Sequence, residues 1–527
     1  MKKIIFILSV AFAMVATSCL DDLNQRPVIE TDSESVYSEA ANYKMVLAKI
    51  YASYVIAGQE QGGGNSDLSS VNGYDFMRGY FNLQEAATDE IACTWLSGDN
   101  IANLSYMTWD VNDPWVSDTY YRAYYTIALC NELIRHCGDS EISKFTSSEQ
   151  ADIQNYKAEA RFLRALSYYF VLDLFHQGPF VDENTPVSAF IPEAYSAKQL
   201  FDFIESELRD NVENDILESN EYGRANKAAV WALLAKMYLN AEVYTGEDHY
   251  SDCITYCKKI IGSGKYSLEK DYYKLFNADN DKRTNEIIFP FIVDATTTIS
   301  WGATTYIVCG ECGLSSTQDI AKYGLSTAWS MFRVRGELPE KFGDVATSND
   351  ARCMFYTDGQ TQYLDKALDN ETNGYFGEKY SNLNDAGEAA SNTVANGADI
   401  DYPVFRLADV YLMAAESVLR GGSGYSRSEA LGFLNELRER AYGDDSGNIS
   451  DAQMNLQYII DERARELYWE CTRRTDLIRF NMFTTENYVW QWKGGVVNGR
   501  VVDSKFNVYP IPATELTANP NLKNENY

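Results

Sequence analysis

The sequence has little histidine, a deficit of basic residues, and no long apolar run beyond its amino-terminal segment. It contains three histidines, and none is spaced as a ligand partner for a cysteine pair. Lysine and arginine number 45 against 76 acidic residues, so the formal net charge is −31. A chain this acidic does not bind a polyanion by charge, which excludes nucleic acid as a partner. The lack of a second apolar run predicts no membrane-spanning helix in the rest of the chain.

Motifs of the common enzyme classes are also missing. The sequence has no G-x-S-x-G elbow, no H-E-x-x-H pair and no Rossmann fingerprint. The GSGK run at 262–265 ends a predicted helix and does not follow a strand, so it is interpreted as a helix cap and not as a phosphate loop. A glycoside hydrolase needs only two suitably placed carboxylates and stays open as an alternative. The sequence favours a binding protein and predicts no enzyme.

The amino-terminal residues are typical of a secretory signal. Two lysines precede an apolar run from Ile4 to Val15, and small residues then lead to Cys19. A cysteine in this position resembles the lipobox of bacterial lipoproteins. Residues 1–18 are therefore predicted to be a signal peptide, and 19–34 a tether that is lipidated at Cys19, since two or more acyl chains anchor a protein stably. Plain secretion, with Cys19 trimmed off, is the alternative.

Two groups of side chains look like metal sites but lack what such sites need. Cys309 and Cys312 have no second C-x-x-C, so they are interpreted as small buried residues, with a disulfide as the alternative. Asp279 and Asp281, close to Glu286, are calcium candidates because Ca²⁺ prefers oxygen ligands. They lack the glycine and the spacing of an EF-hand loop, so a solvated acidic loop is favoured. No other cofactor is predicted.

The stretch from Ala158 to Phe180 is predicted to be a central helix. Its apolar residues cover nearly all sides of a helix, which requires burial on most sides. Gly178 and Pro179 are expected to end it, because glycine accepts the left-handed conformation and proline cannot continue the ladder. Further helices are predicted at Ser35–Gly58, Asp118–Arg135, Ala197–Val212, Asn226–Tyr244, Tyr250–Ile261, Val404–Arg420, Ser426–Tyr442 and Ala452–Glu470.

Consecutive amphipathic helices joined by turns predict a mainly α fold, a TPR-like superhelix of helical hairpins without a clean 34-residue repeat. The predicted parts are a helical frame at 35–265, a loop-rich insertion at 266–402, and returning helices with a tail at 403–527. Short strands are predicted within the insertion, at Glu286–Val293 and Thr304–Val308. The glycine-rich stretch Gln59–Gly79 is predicted to be a long loop, and such loops tend to be functional or disordered.

Three tryptophans lie in glycine-, serine- and threonine-rich segments and not in helical apolar stripes. They are Trp95 in TWLSGDN, Trp301 in ISWGATT and Trp329 in YGLSTAWS. A flat, electron-rich indole ring suits the apolar C–H face of a hexose. The three rings are therefore predicted to be exposed and to bind a glycan. Packing onto the scaffold is the alternative for each ring, because tryptophan is mostly buried wherever it occurs.

Six segments in order resemble the SusD/RagB family of surface glycan-binding lipoproteins of the Bacteroidetes. They are CLDDLNQRP from Cys19, AEARFLRALSYYFVLDLFHQGPF from Ala158, GRANKAAVWALLAKMYLNAEVY from Gly223, YPVFRLADVYLMAAES from Tyr402, DERARELYWECTRRTDLIRF from Asp461 and YPIPATELTANPNL from Tyr509. The resemblance implies anchoring in the outer membrane at the cell surface. It also implies delivery of the glycan to a SusC-like TonB-dependent transporter.

Finer matches resemble starch-binding members of that family, in which three aromatic rings cradle a curved α-glucan. By local match these rings fall on Trp95, Trp301 and Trp329, where Trp301 replaces a tyrosine. Arg78 matches an arginine that hydrogen-bonds the sugar, and Gly98 replaces a hydrogen-bonding asparagine. Asp99 or Asn100 is expected to supply that contact. The leading hypothesis is capture of starch or maltooligosaccharide; the alternatives are another glycan such as dextran, a glycoside hydrolase, or a peptide-binding TPR scaffold.

Overall fold

The structure is a computed structural model of the 527-residue chain. It describes residues 33–59, 66–68, 74–187, 189–370, 372–390 and 397–527. Cys19, with the predicted signal peptide and most of the predicted tether, lies outside the described residues. The mainly α, TPR-like fold predicted from the sequence is confirmed. Over the described ranges, no helix has both the length and the apolar character that crossing a membrane requires.

The longer helices of the described part of the chain form neighbouring pairs. They are α1 (Ala40–Ala52), α2 (Phe76–Glu85), α3 (Pro114–Arg135), α4 (Ser147–Phe175), α5 (Ala197–Ser206), α6 (Lys227–Leu239), α7 (Tyr250–Gly262), α8 (Ala303–Glu311), α9 (Leu407–Leu419), α10 (Arg427–Tyr442), α11 (Leu456–Leu467) and α12 (Arg473–Arg479). Helix α3 packs on α4, α6 on α7 and α9 on α10. Helix α7 also packs on α9, which joins the two helical parts across the insertion.

Short helical segments connect these helices. A π-helical stretch, Glu207–Val212, follows α5 directly. Single α-helical turns are Ser33–Val36, Ala102–Ser105, Asp139–Ile142, Ala241–Thr245, Glu337–Glu340 and Ala513–Ala518. The 3-10 turns are Tyr272–Leu275, Asn280–Lys282, Ile320–Tyr323, Asp445–Gly447, Lys493–Gly495 and Ser504–Asn507.

Helix α4 is the central helix that the sequence predicts. It begins with a capping box between Thr146 and Glu149, and its residues from Ala158 onward are buried except for Arg161. The predicted stop at Gly178 is wrong, because the helix ends at Phe175 and His176 takes the left-handed conformation with φ 55°. Gly178 instead lies in a strand, where an added Cβ would come within 2.1 Å of the Tyr124 hydroxyl.

Helix α2 corrects the predicted loop from Gln59 to Gly79. Asp75 caps the helix through the backbone N–H of Arg78, and all ten residues from Phe76 to Glu85 are buried. Its apolar residues do recur at helical spacing, as Phe76, Tyr80 and Leu83 show, but this short run directly follows a glycine-rich stretch, and its polar residues are buried as well. Gly79 permits close packing on α3, because a Cβ there would lie 2.3 Å from Thr119 Oγ1.

Helix α8 corrects the strand predicted at Thr304–Val308, since Ala303–Glu311 is α-helical and buried throughout. A short apolar run with β-branched residues does not distinguish a strand from a buried helix, and here the packing on α2 decides. The strand predicted at Glu286–Val293 is confirmed, with bounds Ile287–Phe291.

The strands of the described residues form short antiparallel pairs. They are β1 (Ile91–Cys93) with β5 (Phe332–Val334), β2 (Gln177–Pro179) with β3 (Ala194–Ser196), β4 (Ile287–Phe291) with β8 (Tyr402–Arg406), and β6 (Phe355–Tyr356) with β7 (Phe376–Gly377). The pair β4–β8 joins the two ends of the insertion. The pair β1–β5 has the register Cys93 opposite Phe332, which brings the residues after β1 next to those before β5.

Candidate functional site

The three tryptophans singled out in the sequence form one row in the structure. Trp329 lies in the middle, with its ring centroid 6.4 Å from that of Trp95 and 6.1 Å from that of Trp301. The ring planes are inclined by 33° and 31° in turn, so the row is not flat. Trp95 is 41% exposed and Trp301 is 40% exposed, while Trp329 is half-buried. We call these three residues the tryptophan arc.

Strand pairing places Trp95 beside Trp329. The backbone N–H of Thr94 donates to the carbonyl of Met331 at 2.8 Å, and the Thr94 hydroxyl donates to the carbonyl of Ser330 at 3.0 Å. The N–H of Trp329 in turn donates to the carbonyl of Cys309 at 2.7 Å, which ties the ring to the end of α8. Two rings far apart in the sequence are therefore held side by side by backbone contacts.

Trp301 is fixed by the turn that starts α8. The Ser300 hydroxyl donates to the Asp75 carboxylate and accepts from the N–H of Gly302 at 2.8 Å. The N–H of Ala303 donates to Asp75 Oδ1 at 3.3 Å. Gly302 has no room for a side chain, because a Cβ would lie 1.7 Å from Asp75 Oδ2. The cap of α2 thus also anchors the Trp301 turn.

Arg78 lies behind the arc and is only 3% exposed. Its guanidinium carbon is 3.6 Å from the ring centroid of Tyr74 and 4.0 Å from that of Tyr306, which places the charge between two aromatic faces. Nη1 donates to the carbonyl of Trp301 at 2.6 Å, and Nη2 donates to the Asp99 carboxylate at 2.8 and 3.0 Å. Burial alone would lower the pKa of Arg78, but Tyr306 and Asp99 outweigh it and raise the pKa.

The loop after Trp95 carries the other polar candidates. Asp99 is 6% exposed, its N–H donates to the carbonyl of Trp95 at 3.1 Å, and its carbonyl accepts from Trp115 Nε1 at 2.8 Å. Asn100 is exposed and has a left-handed backbone, with φ 55°. Gly98 is exposed, and an added Cβ would have no atom within 4 Å. Direct sugar contact by Arg78, Asp99 or Asn100 stays a prediction.

The calcium candidates show contacts of another kind. The Asp279 carboxylate pairs with Lys282 at 2.8 Å and accepts from the N–H of Asp385 at 3.0 Å. Within the described ranges, no group of three or more histidine, cysteine or acidic side chains is arranged to hold a metal ion. Calcium binding at Asp279 and Asp281 stays an untested alternative to the favoured solvated acidic loop. Cys309 and Cys312 are buried free thiols, which agrees with the favoured interpretation.

Sequence reasoning missed the residues that support the arc. Asp75 and Ser300 were not singled out, and neither were the rings Tyr74 and Tyr306. Asp75 gave one usable signal, since aspartate is a preferred residue before the first turn of a helix. Tyr306 gave none, because it falls in the run that was interpreted as a strand.

A curved row of indole rings on the loops of a helical scaffold defines a class of protein that binds a ligand with an apolar face. The sequence model of the SusD family matches residues 229–527, and a relative over most of the chain is 32% identical. The chain therefore belongs to the SusD family, as the sequence motifs predict.

Several known proteins are similar over nearly the whole chain. The starch-binding protein SusD of Bacteroides thetaiotaomicron is 32% identical, over 97% of this chain and 96% of the relative. The SusD-like protein P25 of Formosa agariphila is 25% identical, over 96% and 95%. Surface glycan-binding protein A from Bacteroides thetaiotaomicron, solved in complex with laminarihexaose, has a TM-score of 0.69 and 19% identity, over 92% and 99%. A SusD superfamily protein from Parabacteroides distasonis gives 0.70 and 20%, over 94% and 100%.

Proposed function

We propose that this protein captures α-glucan, as starch or maltooligosaccharide, on the tryptophan arc and delivers it to a SusC-like TonB-dependent outer-membrane transporter. The observation that carries the proposal is the arc itself, in which three indole rings lie in one inclined row and two of them are about 40% exposed. The 32% identical relative with the name starch-binding protein SusD supports the choice of α-glucan.

The arc fits a sugar polymer for physical reasons. Each ring offers a flat apolar surface of negative potential to the C–H face of one hexose, and a single such contact is weak. Several rings along one chain raise the apparent affinity, so binding should increase with oligosaccharide length. Because the rings are already inclined to each other, a helical α-1,4-glucan can follow the row at little ordering cost, whereas a flat β-1,4 chain cannot.

The role is one of binding without catalysis. The carboxylates behind the arc are those of Asp75 and Asp99, which are 2% and 6% exposed. Both accept hydrogen bonds from neighbouring groups and are not presented to a glycosidic bond. We place the protein at the cell surface, with lipid chains on Cys19 as its anchor.

Other glycans are the competing ligands for the same surface. Dextran is one, because α-1,6-linked glucose offers the same hexose face. Laminarin is a second competing ligand. The structural neighbour solved with laminarihexaose is only 19% identical, so its similarity supports a shared fold and not a shared ligand. The curved arc of three rings favours a helical chain over dextran, and the 32% identical starch-binding relative supports an α-1,4 chain over laminarin.

Affinity electrophoresis tests the proposal directly. The protein is run in gels with starch, pullulan, dextran, laminarin or a β-1,4-glucan, beside the triple variant Trp95→Ala, Trp301→Ala, Trp329→Ala. Starch should retard the parent and not the triple variant. The matched control is Phe190→Ala, which removes a 44% exposed ring from a different segment and should leave retardation unchanged. Equal retardation of parent and triple variant would refute the arc as the site, and release of reducing ends from amylose would refute the non-catalytic role.

A further inference from the structure

We propose that Asp75, Arg78 and Asp99 form a clamp that fixes the curvature of the tryptophan arc, and that this curvature selects the shape of the glycan that binds. This inference rests on the proposed function for its ligand, but the geometry of the clamp is independent of it. The three side chains are between 2% and 6% exposed, whereas the two end rings of the arc are about 40% exposed.

The clamp connects the two ends of the arc, which do not touch each other through their rings. Trp95 and Trp301 each contact Trp329, and a hinge at the central ring would let the ends move apart. A chain of buried hydrogen bonds behind the rings connects the same two ends and opposes this movement. The carbonyl of Trp95 accepts from the N–H of Asp99, the Asp99 carboxylate pairs with Arg78, and Arg78 donates to the carbonyl of Trp301.

Asp75 fixes the same guanidinium and the same turn from the other side. Its carboxylate accepts from the N–H of Arg78 at 2.9 Å, from the Ser300 hydroxyl and from the N–H of Ala303. The base of Arg78 and the turn that carries Trp301 are therefore held by one carboxylate. The Trp301 turn is thus held to Arg78 twice, and the Arg78–Asp99 pair connects Arg78 to the Trp95 end of the arc.

Two of the three guanidinium nitrogens of Arg78 donate hydrogen bonds that hold the arc. Nη1 donates to the carbonyl of Trp301 and Nη2 donates to the Asp99 carboxylate. Tyr74 and Tyr306 pack against the guanidinium. The planar fork of an arginine suits this double connection, and a lysine, which presents a single ammonium, cannot reproduce it.

Such a clamp determines which ligands fit, because charge-assisted hydrogen bonds in a buried place are strong and directional. A fixed row of rings matches a ring-shaped or helical glucan of one curvature. A loosened row still meets a flexible linear chain, which can adapt to it at an entropic cost. Loss of the clamp is therefore expected to reduce binding of a rigid curved ligand more than binding of a flexible one.

The variant Arg78→Lys tests the clamp, with Arg164→Lys as its matched control. Arg164 lies in α4, is 2% exposed and pairs with Glu183 and Glu207. Its replacement therefore disturbs comparable ion pairs away from the arc. We expect Arg78→Lys to weaken binding of α-cyclodextrin about tenfold, and binding of linear maltohexaose about threefold or less. Arg164→Lys should change neither. Titration calorimetry measures both ligands.

Circular dichroism gives a readout that needs no glycan. Indole rings about 6 Å apart couple their transitions, so the arc should contribute an exciton couplet in the far ultraviolet. The couplet should weaken in Arg78→Lys and persist in Arg164→Lys. Should Arg78→Lys fail to fold, Ser300→Ala removes only the hydroxyl that links Asp75 to the Trp301 turn, and it should show the same pattern with a smaller change.

The outcomes separate the clamp from the proposed function. An unchanged couplet with equal loss of both glucans would show that Arg78 acts on the sugar and not on the shape of the arc, and the clamp would be wrong. An unchanged couplet with unchanged binding would also refute it. If the parent protein binds no glucan at all, the proposed function fails, and the couplet alone then decides whether the clamp exists.

Discussion

Two regions of this protein treat polarity in opposite ways. The tryptophan arc presents large apolar rings to solvent, whereas a network of charges is buried around helix α11 and the strands β4 and β8. That buried network includes Arg352, Arg406, Arg440, Glu286, Glu462, Glu466 and Glu470. Arg406 by itself pairs with three glutamates: with Glu286 at 3.0 Å, and with Glu466 and Glu470 at 2.6 Å each.

The difference teaches that stability and binding are assigned to different residues. Exposed rings contribute little to folding, because burial is what gives an aromatic side chain its stabilising effect. Buried ions are satisfied only as a set, so removal of one member leaves its partners uncompensated. Variants in the buried network should therefore change stability and spare binding, and variants in the arc should do the reverse.

The largest effect is expected from Glu466→Gln in the buried network. One oxygen of Glu466 accepts from Arg440 and from Arg406, the latter at 2.6 Å, and the other accepts from Arg352 at 3.0 Å, with no exposure of the side chain. A neutral amide leaves the three arginines short of negative charge, which costs about 3–5 kcal/mol of unfolding free energy. Urea unfolding measures this loss. The folded variant should still be retarded by starch.

Asp202→Asn is the matched control for that prediction. Asp202 pairs with Lys198 at 3.1 Å, but both side chains are more than half exposed. Exposed pairs contribute between zero and about 1 kcal/mol, so this variant should unfold like the parent. A comparable loss in both variants would mean that burial of the network is not what makes it important.

Acid should weaken the buried network next. Burial tends to raise the pKa values of Glu462 and Glu466, but Arg352 beside Glu462 and Arg440 beside Glu466 outweigh burial and hold both below the usual range. A lowered folded-state pKa stabilises the protein above the unfolded value of 4.5, and this stability is lost as the pH falls below it. Glu286 acts in the opposite sense, since burial raises its pKa.

When the unfolding free energy is measured from pH 7 downward, it should therefore begin to decrease once the pH is lower than about 4.5. The fall should be shallower in Glu466→Gln, which has lost one of the two groups. A parallel fall in parent and variant would show that other carboxylates cause the acid sensitivity.

Trp329→Ala should have the largest effect among single changes in the arc. Its ring is the only one of the three that contacts both others, and it also lies 6.4 Å from Tyr306. Its removal deletes one stacking surface and the support of two more, so we expect about a tenfold or greater loss of affinity for maltohexaose. Trp95→Ala and Trp301→Ala should each lose less. Calorimetry of the three variants ranks their affinities for maltohexaose. An equal loss of affinity in all three would show that Trp329 has no special role.

The sequence predicted the parts of this arrangement that leave a periodic or compositional trace. The central helix α4 and the loop tryptophans were found this way, because an all-round apolar helix and rings in polar loops are both unusual. Helix α2 was missed because its short amphipathic run directly follows a glycine-rich stretch, and helix α8 was missed because it is buried on every side and rich in β-branched residues. Because these two helices were not predicted, Asp75 and Tyr306 were not recognised. The sequence therefore predicted the three indole rings but not the residues that hold them in place.

The smallest expected effect is a gain, from Gly98→Asn. By the sequence resemblance, Gly98 stands where starch-binding relatives have a hydrogen-bonding asparagine. The site has room for that side chain, because an added Cβ meets no atom within 4 Å and the residue is exposed. One new hydrogen bond to a sugar hydroxyl contributes about 0.5–1.5 kcal/mol, so affinity should rise about threefold to tenfold. Gly98→Ala is the control, since it adds the Cβ without the amide. A gain in both variants would point to a stiffer loop, and a loss in Gly98→Asn alone would mean that the glycan passes too close to this position for a side chain.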